Sequence, residues 1–275
     1  MTPKTAAPSP ESMDLDEFHR LLNCYPDVLD AAAQTKDAKP GQRSLQELDA
    51  YRYSEAVQQF GSQPHDKLMG MELQHVQLLV EWKLRHGKFR PMLMKLVSSN
   101  DASSASQTIK EAIDAYRGGA DVPSTIGTLT KLKGIGPATA SLLLAVHDAR
   151  RVIFFSDEAF YWLCCNATKT AMKYNTKEYD TLRSKAQTLM DRLSVGAMDV
   201  EKVAYVVMKQ ADLAPAEAGA TAKDSSPAET KPAATAGSGT STSTSTSSSA
   251  KRKPRSDGDV ARGQSGTRRS KRARA

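Results

Sequence analysis

The residues best suited to chemistry lie in one stretch, LTKLKGIGPATASLLLAVHDARRVIFFSDEAFYWL, from Leu129 to Leu163. Leu129 and Leu132 close one helix, Gly134, Ile135 and Gly136 make a tight turn, and Pro137 suits the first position of a second helix running through Ala138, Leu142, Leu143 and Val146. Two glycines permit a positive φ and the close approach of another backbone. A helix start offers free N–H groups and the positive end of its dipole to an anion, with Lys131 and Lys133 beside it. Phosphate suits such a turn, and contacts of this kind position a duplex without reading its bases. A plain structural corner between two helices is the alternative. The second feature is Asp157 in FFSDEAF, behind Ser156 at a helix start. A carboxylate there complements the dipole, or, in a dry pocket, stabilises a developing cation. Glu158 reads as a first-turn charge.

The pattern L-x-x-L-x-G-I-G-P-x-T-A, from Leu129 to Ala140, resembles the helix-hairpin-helix motif. Its continuation, a loop of about a dozen residues and then an aspartate opening a helix, resembles the HhH-GPD superfamily of DNA glycosylases. That resemblance implies an all-α helix-hairpin-helix fold and places Lys131, Lys133, Gly134, Ile135, Gly136, Ala138 and Thr139 at DNA. It also implies that Asp157 faces the sugar of a flipped-out nucleotide and steadies the cation formed as the base leaves. Members that also cut the strand carry a lysine just after the turn, where this chain has Ala138, so the implied activity is a monofunctional N-glycosylase without lyase chemistry. The cysteine-ligated iron-sulfur loop of some members is missing. The resemblance covers about 35 residues, and the whole layout is also similar to an uncharacterised eukaryotic group related to these enzymes. Non-catalytic DNA binding, or nuclear scaffolding on the same fold, is the alternative function.

Other polar positions have bland readings beside their functional ones. WKLRHGKFRP (Trp82 to Pro91) interleaves Lys83, Arg85, Lys88 and Arg90 with Trp82 and Phe89; it is a phosphate stripe or stacking wedge, or simply a basic helix end with a core tryptophan. Arg150 and Arg151 could hold a phosphate near the proposed pocket or serve as loop charges. Tyr161 and Trp162 line a base pocket or pack. His75, His86 and His147 have no metal-ligand spacing, and Cys24, Cys164 and Cys165 form neither a disulfide framework nor a C-x-x-C knuckle. No metal or cofactor is expected, and a reducing compartment fits.

Several helices must position these residues. Apolar spacing predicts one at Leu15, Phe18, Leu21, Leu22 and Tyr25, capped by Ser12. A capping box of Ser44 and Glu47 opens the next, with Leu48, Tyr51, Ala56, Val57 and Phe60 inward. A dense helix from Leu73 to Leu84, ending at Gly87, is expected to be central. Further helices are expected at Pro91 to Val97, Ser104 to Arg117, from Thr176 and from Asp199. The short run Val152 to Phe155 reads as a buried connector rather than a strand. The expected organisation is an N-terminal segment 1–43, largely disordered with one short helix; a helical domain 44–213; and a disordered tether with a basic tail, 214–275.

Charge supports that division. From Leu213 onward there are 12 basic and 5 acidic residues, a surplus of seven that equals the net charge of the whole 275-residue chain. The tail has too few large apolar residues to offset the entropy of ordering. Its clusters KRKPR (Lys251, Arg252, Lys253, Arg255) and RRSKRAR (Arg268, Arg269, Lys271, Arg272, Arg274) have the layout of a bipartite nuclear-import signal. The expected partners are therefore DNA and a nuclear-import receptor, the expected location the nucleus, and the expected state a monomer. Apolar runs such as Leu142 to Val146 are far below the ~20 residues of a membrane span. The opening MTPKTAAPSPE has Pro and Ser where a signal peptide needs an apolar core.

Overall fold

A computed structural model describes residues 7–34, 41–61 and 70–213, which are all-helical, with no strand among them. Helices α1 (Leu15–Asn23) and α2 (Tyr25–Gln34) are followed by α3 (Leu45–Ala50) and α4 (Ala56–Phe60), joined by a π-helical turn at Tyr51–Glu55. Then come α5 (Leu73–His86), α6 (Leu93–Ser98), α7 (Ala102–Arg117), α8 (Val122–Leu129), α9 (Pro137–His147), α10 (Asp157–Cys165), α11 (Thr176–Leu193) and α12 (Ala197–Leu213). The caps are written in the sequence: Asp101, Asp121, Ser156 and Asn175 each accept from a backbone N–H three residues on. Ser44 and Glu47 form the expected capping box. The last helix starts at Ala197 rather than Asp199, and α7 starts at Ala102 rather than Ser104.

The N-terminal segment corrects an expectation. It holds two helices rather than one, and both pack on α12. Asp14, not Ser12, caps α1. Phe18, Leu21, Tyr25 and Leu29 enter the same core as the later helices. Even the lead-in is tied down: the Trp162 indole donates to the Pro8 carbonyl at 2.9 Å, and Arg192 donates to the carbonyls of Met13 and Pro10 at 2.6 and 2.8 Å. These partners lie more than 150 positions away, beyond the reach of local periodicity.

The helix α5 is central as expected, packing on α3, α6, α7 and α9, and α9 is the most completely buried. Every residue from Ala138 to Val146 is buried, so α9 has almost no polar face, whereas α5 keeps a half-exposed side. The π-helical turn explains a second departure. The widened turn sends Tyr51, Arg52 and Tyr53 inward together, which a regular amphipathic helix cannot do. Arg52 then pairs with Glu201 of α12 at 3.1 Å in full burial, and the Tyr53 hydroxyl donates to the same oxygen at 3.2 Å.

Val152 to Phe155 is the buried extended connector expected. A buried backbone outside a helix or sheet needs partners for its polar groups. Here they are side chains. The Tyr179 hydroxyl donates to the Ile153 carbonyl, Phe154 N–H donates to Glu201 at 2.6 Å, and Phe155 N–H donates to Ser141 Oγ at 2.9 Å. Three helices thus fix the approach to Asp157.

Candidate functional site

The turn between α8 and α9 and the start of α10 face one another across a cavity of about 230 Å³. Gly134, Gly136, Ala138 and Thr139 form one wall; Phe154, Phe155, Ser156 and Asp157 form another; Lys83 and Tyr174 complete it. The hairpin and Asp157, read from sequence as two features, therefore belong to one site.

The two glycines do different jobs. Gly134 has φ +76, and a Cβ there would stand 3.0 Å from Leu96 Cβ and Val97 Cγ2 and 3.1 Å from the Val97 nitrogen. Its lack of a side chain lets α6 pack against the turn. Gly136 has an ordinary extended φ of −87, and a Cβ there would meet nothing within 4 Å. Asn100 clamps the turn from outside: its side-chain oxygen accepts from Lys133 N–H, and its amide donates to the Lys133 carbonyl, both at 2.9 Å. At the α9 start, the N–H groups of Gly136 and Ala138 donate to no other group among the described residues. Lys131, Lys133 and Gly136 are exposed, while Ile135, Ala138 and Thr139 turn their side chains inward. Any outward contact by those three uses the backbone.

Asp157 occupies the first turn of α10, with Ser156 as the cap. The Tyr174 hydroxyl donates to both carboxylate oxygens, at 2.9 and 3.1 Å. Tyr174 holds a left-handed φ of +53, a strained conformation for a bulky residue that surrounding structure must enforce. The Arg90 guanidinium lies 4.7 Å from its ring centroid. Glu158 is more than a first-turn charge. It is largely buried beside Lys209 at 3.6 Å, and that desolvation raises its carboxyl above the usual range against the pull of that ammonium.

Lys83 is the residue that sequence reading misjudged. It leaves the C-terminal part of α5, donates to Thr139 Oγ1 at 3.3 Å, and sits 5.4 Å from the Phe154 ring centroid. Burial pulls its ammonium down to about 7, with Asp157 opposing and Arg90 assisting. The rest of that basic segment is divided. Trp82 is core, donating to Asp49 at 2.9 Å; the Arg85 guanidinium donates to the Arg43 carbonyl; Phe89 is 69% exposed and lines a separate, larger groove rather than this cavity. Of the segment's four cations, Lys83, Lys88 and Arg90 line the cavity, whereas Arg85 lines a separate groove.

Behind the cavity, the His86 ring is stacked between Trp82 and Tyr205, with centroids at 4.5 and 4.0 Å, and its Nε2 lies 3.2 Å from the Tyr25 hydroxyl. Tyr25 donates in turn to Asp49 at 2.7 Å, so α2, α3, α5 and α12 are locked around the base of α5. His75 and His147 engage backbone groups, the Glu72 N–H and the Phe60 carbonyl. No group of three or more His, Cys, Asp or Glu among the described residues could hold a metal ion. Cys164 is half-buried and its thiol is pushed up to about 11 by burial, which makes it a poor nucleophile. Trp162 is fully buried packing, and Arg150 and Arg151 lie away from the cavity, Arg151 paired with Asp148. A larger open groove of about 1460 Å³ runs along the α5 face of Gln74, Leu78, Glu81 and Arg85.

No described helix is long and apolar enough to cross a membrane. The proposed nuclear-import residues Lys251, Arg252, Lys253, Arg255, Arg268, Arg269, Lys271, Arg272 and Arg274 lie outside the described residues. The chain matches no protein-family model, no curated protein and no solved structure.

Proposed function

We propose that this chain binds duplex DNA through the α8–α9 turn and hydrolyses the N-glycosidic bond of a nucleotide swung out into the cavity, acting in base-excision repair as a monofunctional glycosylase of the helix-hairpin-helix type. One observation carries the reading: the start of α9, whose Gly136 and Ala138 N–H groups have no acceptor among the described residues, and a carboxylate at the start of α10 border one cavity. In this reading a flanking phosphate sits on the turn and its sugar lies at Asp157.

In this mechanism, bond cleavage leaves positive charge on the sugar, and Asp157 supplies the opposing charge in a partly desolvated site. Tyr174 holds both carboxylate oxygens in place and spares them a search for orientation. The N–H groups of Gly136 and Ala138, with Lys131 and Lys133, hold the phosphate. The basic clusters of the tail direct the protein to the nucleus through an import receptor.

The test is base release from duplexes carrying alkylated, deaminated, oxidised or mismatched bases, with alkali exposing abasic sites. Release that disappears in Asp157→Asn, with DNA affinity kept, is the expected result. Equal release by that variant would overturn the catalytic assignment. DNA binding without catalysis is the second reading, favoured by the balance of charge before the tail, where residues 1 to 212 carry as many acidic as basic groups.

A further inference from the structure

A lysine in a partly closed cavity either pairs with a carboxylate or loosens its hold on a proton. Lys83 makes no ion pair among the described residues, although Asp157 and Glu158 stand in the same cavity. Asp157 is held by the Tyr174 hydroxyl, and Glu158 is paired with Lys209. The other ionisable groups that line the cavity are Lys88, Arg90, the His86 ring and the Tyr174 phenol, none of which brings a negative charge to Lys83. Thr139 Oγ1, on α9, fixes the amine. The lining rings are engaged as well. A cationic guest is best held over an aromatic face, but here the Phe154 ring faces the Lys83 ammonium at 5.4 Å and the Tyr174 ring the Arg90 guanidinium at 4.7 Å. Phe155 is stacked on Tyr179 at 5.5 Å. A positively charged guest therefore meets three cations and rings that already have partners, whereas a neutral guest with a lone pair meets a positioned donor.

We propose that Lys83 selects the base: its ammonium protonates a neutral, lone-pair-bearing base as that base leaves, and the cavity turns away bases that are already cationic. The proposal rests on the glycosylase function argued above. A neutral base departs with the electron pair of its glycosidic bond and needs a proton to avoid becoming an anion. A base alkylated on a ring nitrogen departs neutral and needs none. As the bond from C1′ to the base breaks, its pair stays on the base, and an N–H proton of Lys83 passes to a carbonyl oxygen or ring nitrogen there. Asp157 balances the positive sugar until water adds through its oxygen to C1′, and the proton that water gives up restores the ammonium. Nucleotide and water give free base and a sugar hydroxyl, and nothing is oxidised or reduced. A donor whose proton is held only to about 7 is matched to neutral pH, where an exposed ammonium holds its proton too tightly.

The experiment measures single-turnover base release by the full chain between pH 6 and 9, from duplexes carrying a single uracil, hypoxanthine or 7-methylguanine. Each rate is divided by the spontaneous rate for that base. The two neutral bases should gain at least about a hundredfold more than the cationic one. Their rate should be level up to about 7 and then fall about tenfold per pH unit as Lys83 loses its proton. Lys83→Met removes a desolvated charge; it should lose that fall, together with at least about a hundredfold of the rate at pH 7. A slower variant that keeps the same pH dependence marks a structural role and overturns the proposal. Preferential release of 7-methylguanine, or a rate that stays level through pH 9, overturns it too and leaves the glycosylase reading standing. No release of any base removes both. Should the variant fold poorly by circular dichroism, the base preference and pH profile of the unaltered chain decide.

Discussion

Replacing each glycine of the α8–α9 turn by alanine separates a structural role from a binding one. At Gly134 the new Cβ meets three atoms at 3.0 to 3.1 Å, one of them the backbone nitrogen of Val97, so α6 must shift to admit it. The left-handed φ of +76 costs a further ~1–2 kcal/mol, and overpacking typically costs ~1–3 kcal/mol. Stiffening of the unfolded chain returns ~0.4–1 kcal/mol. Gly134→Ala should therefore destabilise by roughly 1–5 kcal/mol. Gly136→Ala meets open space at an ordinary φ, so its stability should stay within ~1 kcal/mol of the parent. Its DNA affinity should fall about tenfold or more if a phosphate sits on the Gly136 and Ala138 N–H groups, because the new Cβ occupies the open space through which the phosphate reaches those donors, and hydrogen bonds to charged groups are worth ~1.5–3 kcal/mol. Urea titration followed by tryptophan fluorescence reads the first quantity, because Trp82 and Trp162 are both fully buried. Fluorescence anisotropy on a chain ending at Leu213, free of the polycationic tail, reads the second. A Gly134→Ala protein as stable as the parent would refute the packing argument. Unchanged affinity in Gly136→Ala would remove the phosphate site.

Glu201→Ala strips the partner from buried Arg52 and frees Phe154 N–H; loss of one member of such a pair costs ~3–5 kcal/mol, measurable as a lower urea midpoint. His147 is held at about 4, below its usual 6.5, by burial, so between those values only the unfolded chain binds the proton. Stability is complete above pH 6.5 and falls toward pH 4 by up to about 3 kcal/mol; urea curves across that range check it, and His147→Asn should flatten the slope. Lys83 follows the same sign at higher pH. With a folded value of about 7 against 10.5, its cost is fully present below pH 7 and disappears as pH rises to 10.5. Lys83→Met should thus stabilise the protein by a few kcal/mol at pH 6 and by little near pH 10.5, read as the shift in urea midpoint at each pH.

Local chemistry was legible without coordinates. The capping box at Ser44, the sharp turn before Pro137, the buried connector at Val152 to Phe155 and the start of α10 at Asp157 all follow from neighbours within four residues. So does the all-helical class, because the apolar spacing has the period of a helix almost throughout. What the tertiary structure decided is the identity of groups that meet from distant positions. Lys83 reads as one cation of a basic helix end, and only the packing of α5 against α9 turns it into the cavity with Thr139. Tyr174 lies in a loop of no particular pattern, and its contact with Asp157 depends on a left-handed backbone that no side-chain type announces. Glu201 sits in the apolar run of α12 and looks like an outward charge until the π-helical turn brings Arg52 to it. Helix propensity and capping act over one or two turns, so sequence reveals them directly. Burial, ion pairing and the state of a titratable group depend on what the chain brings from far away, and they belong to the fold.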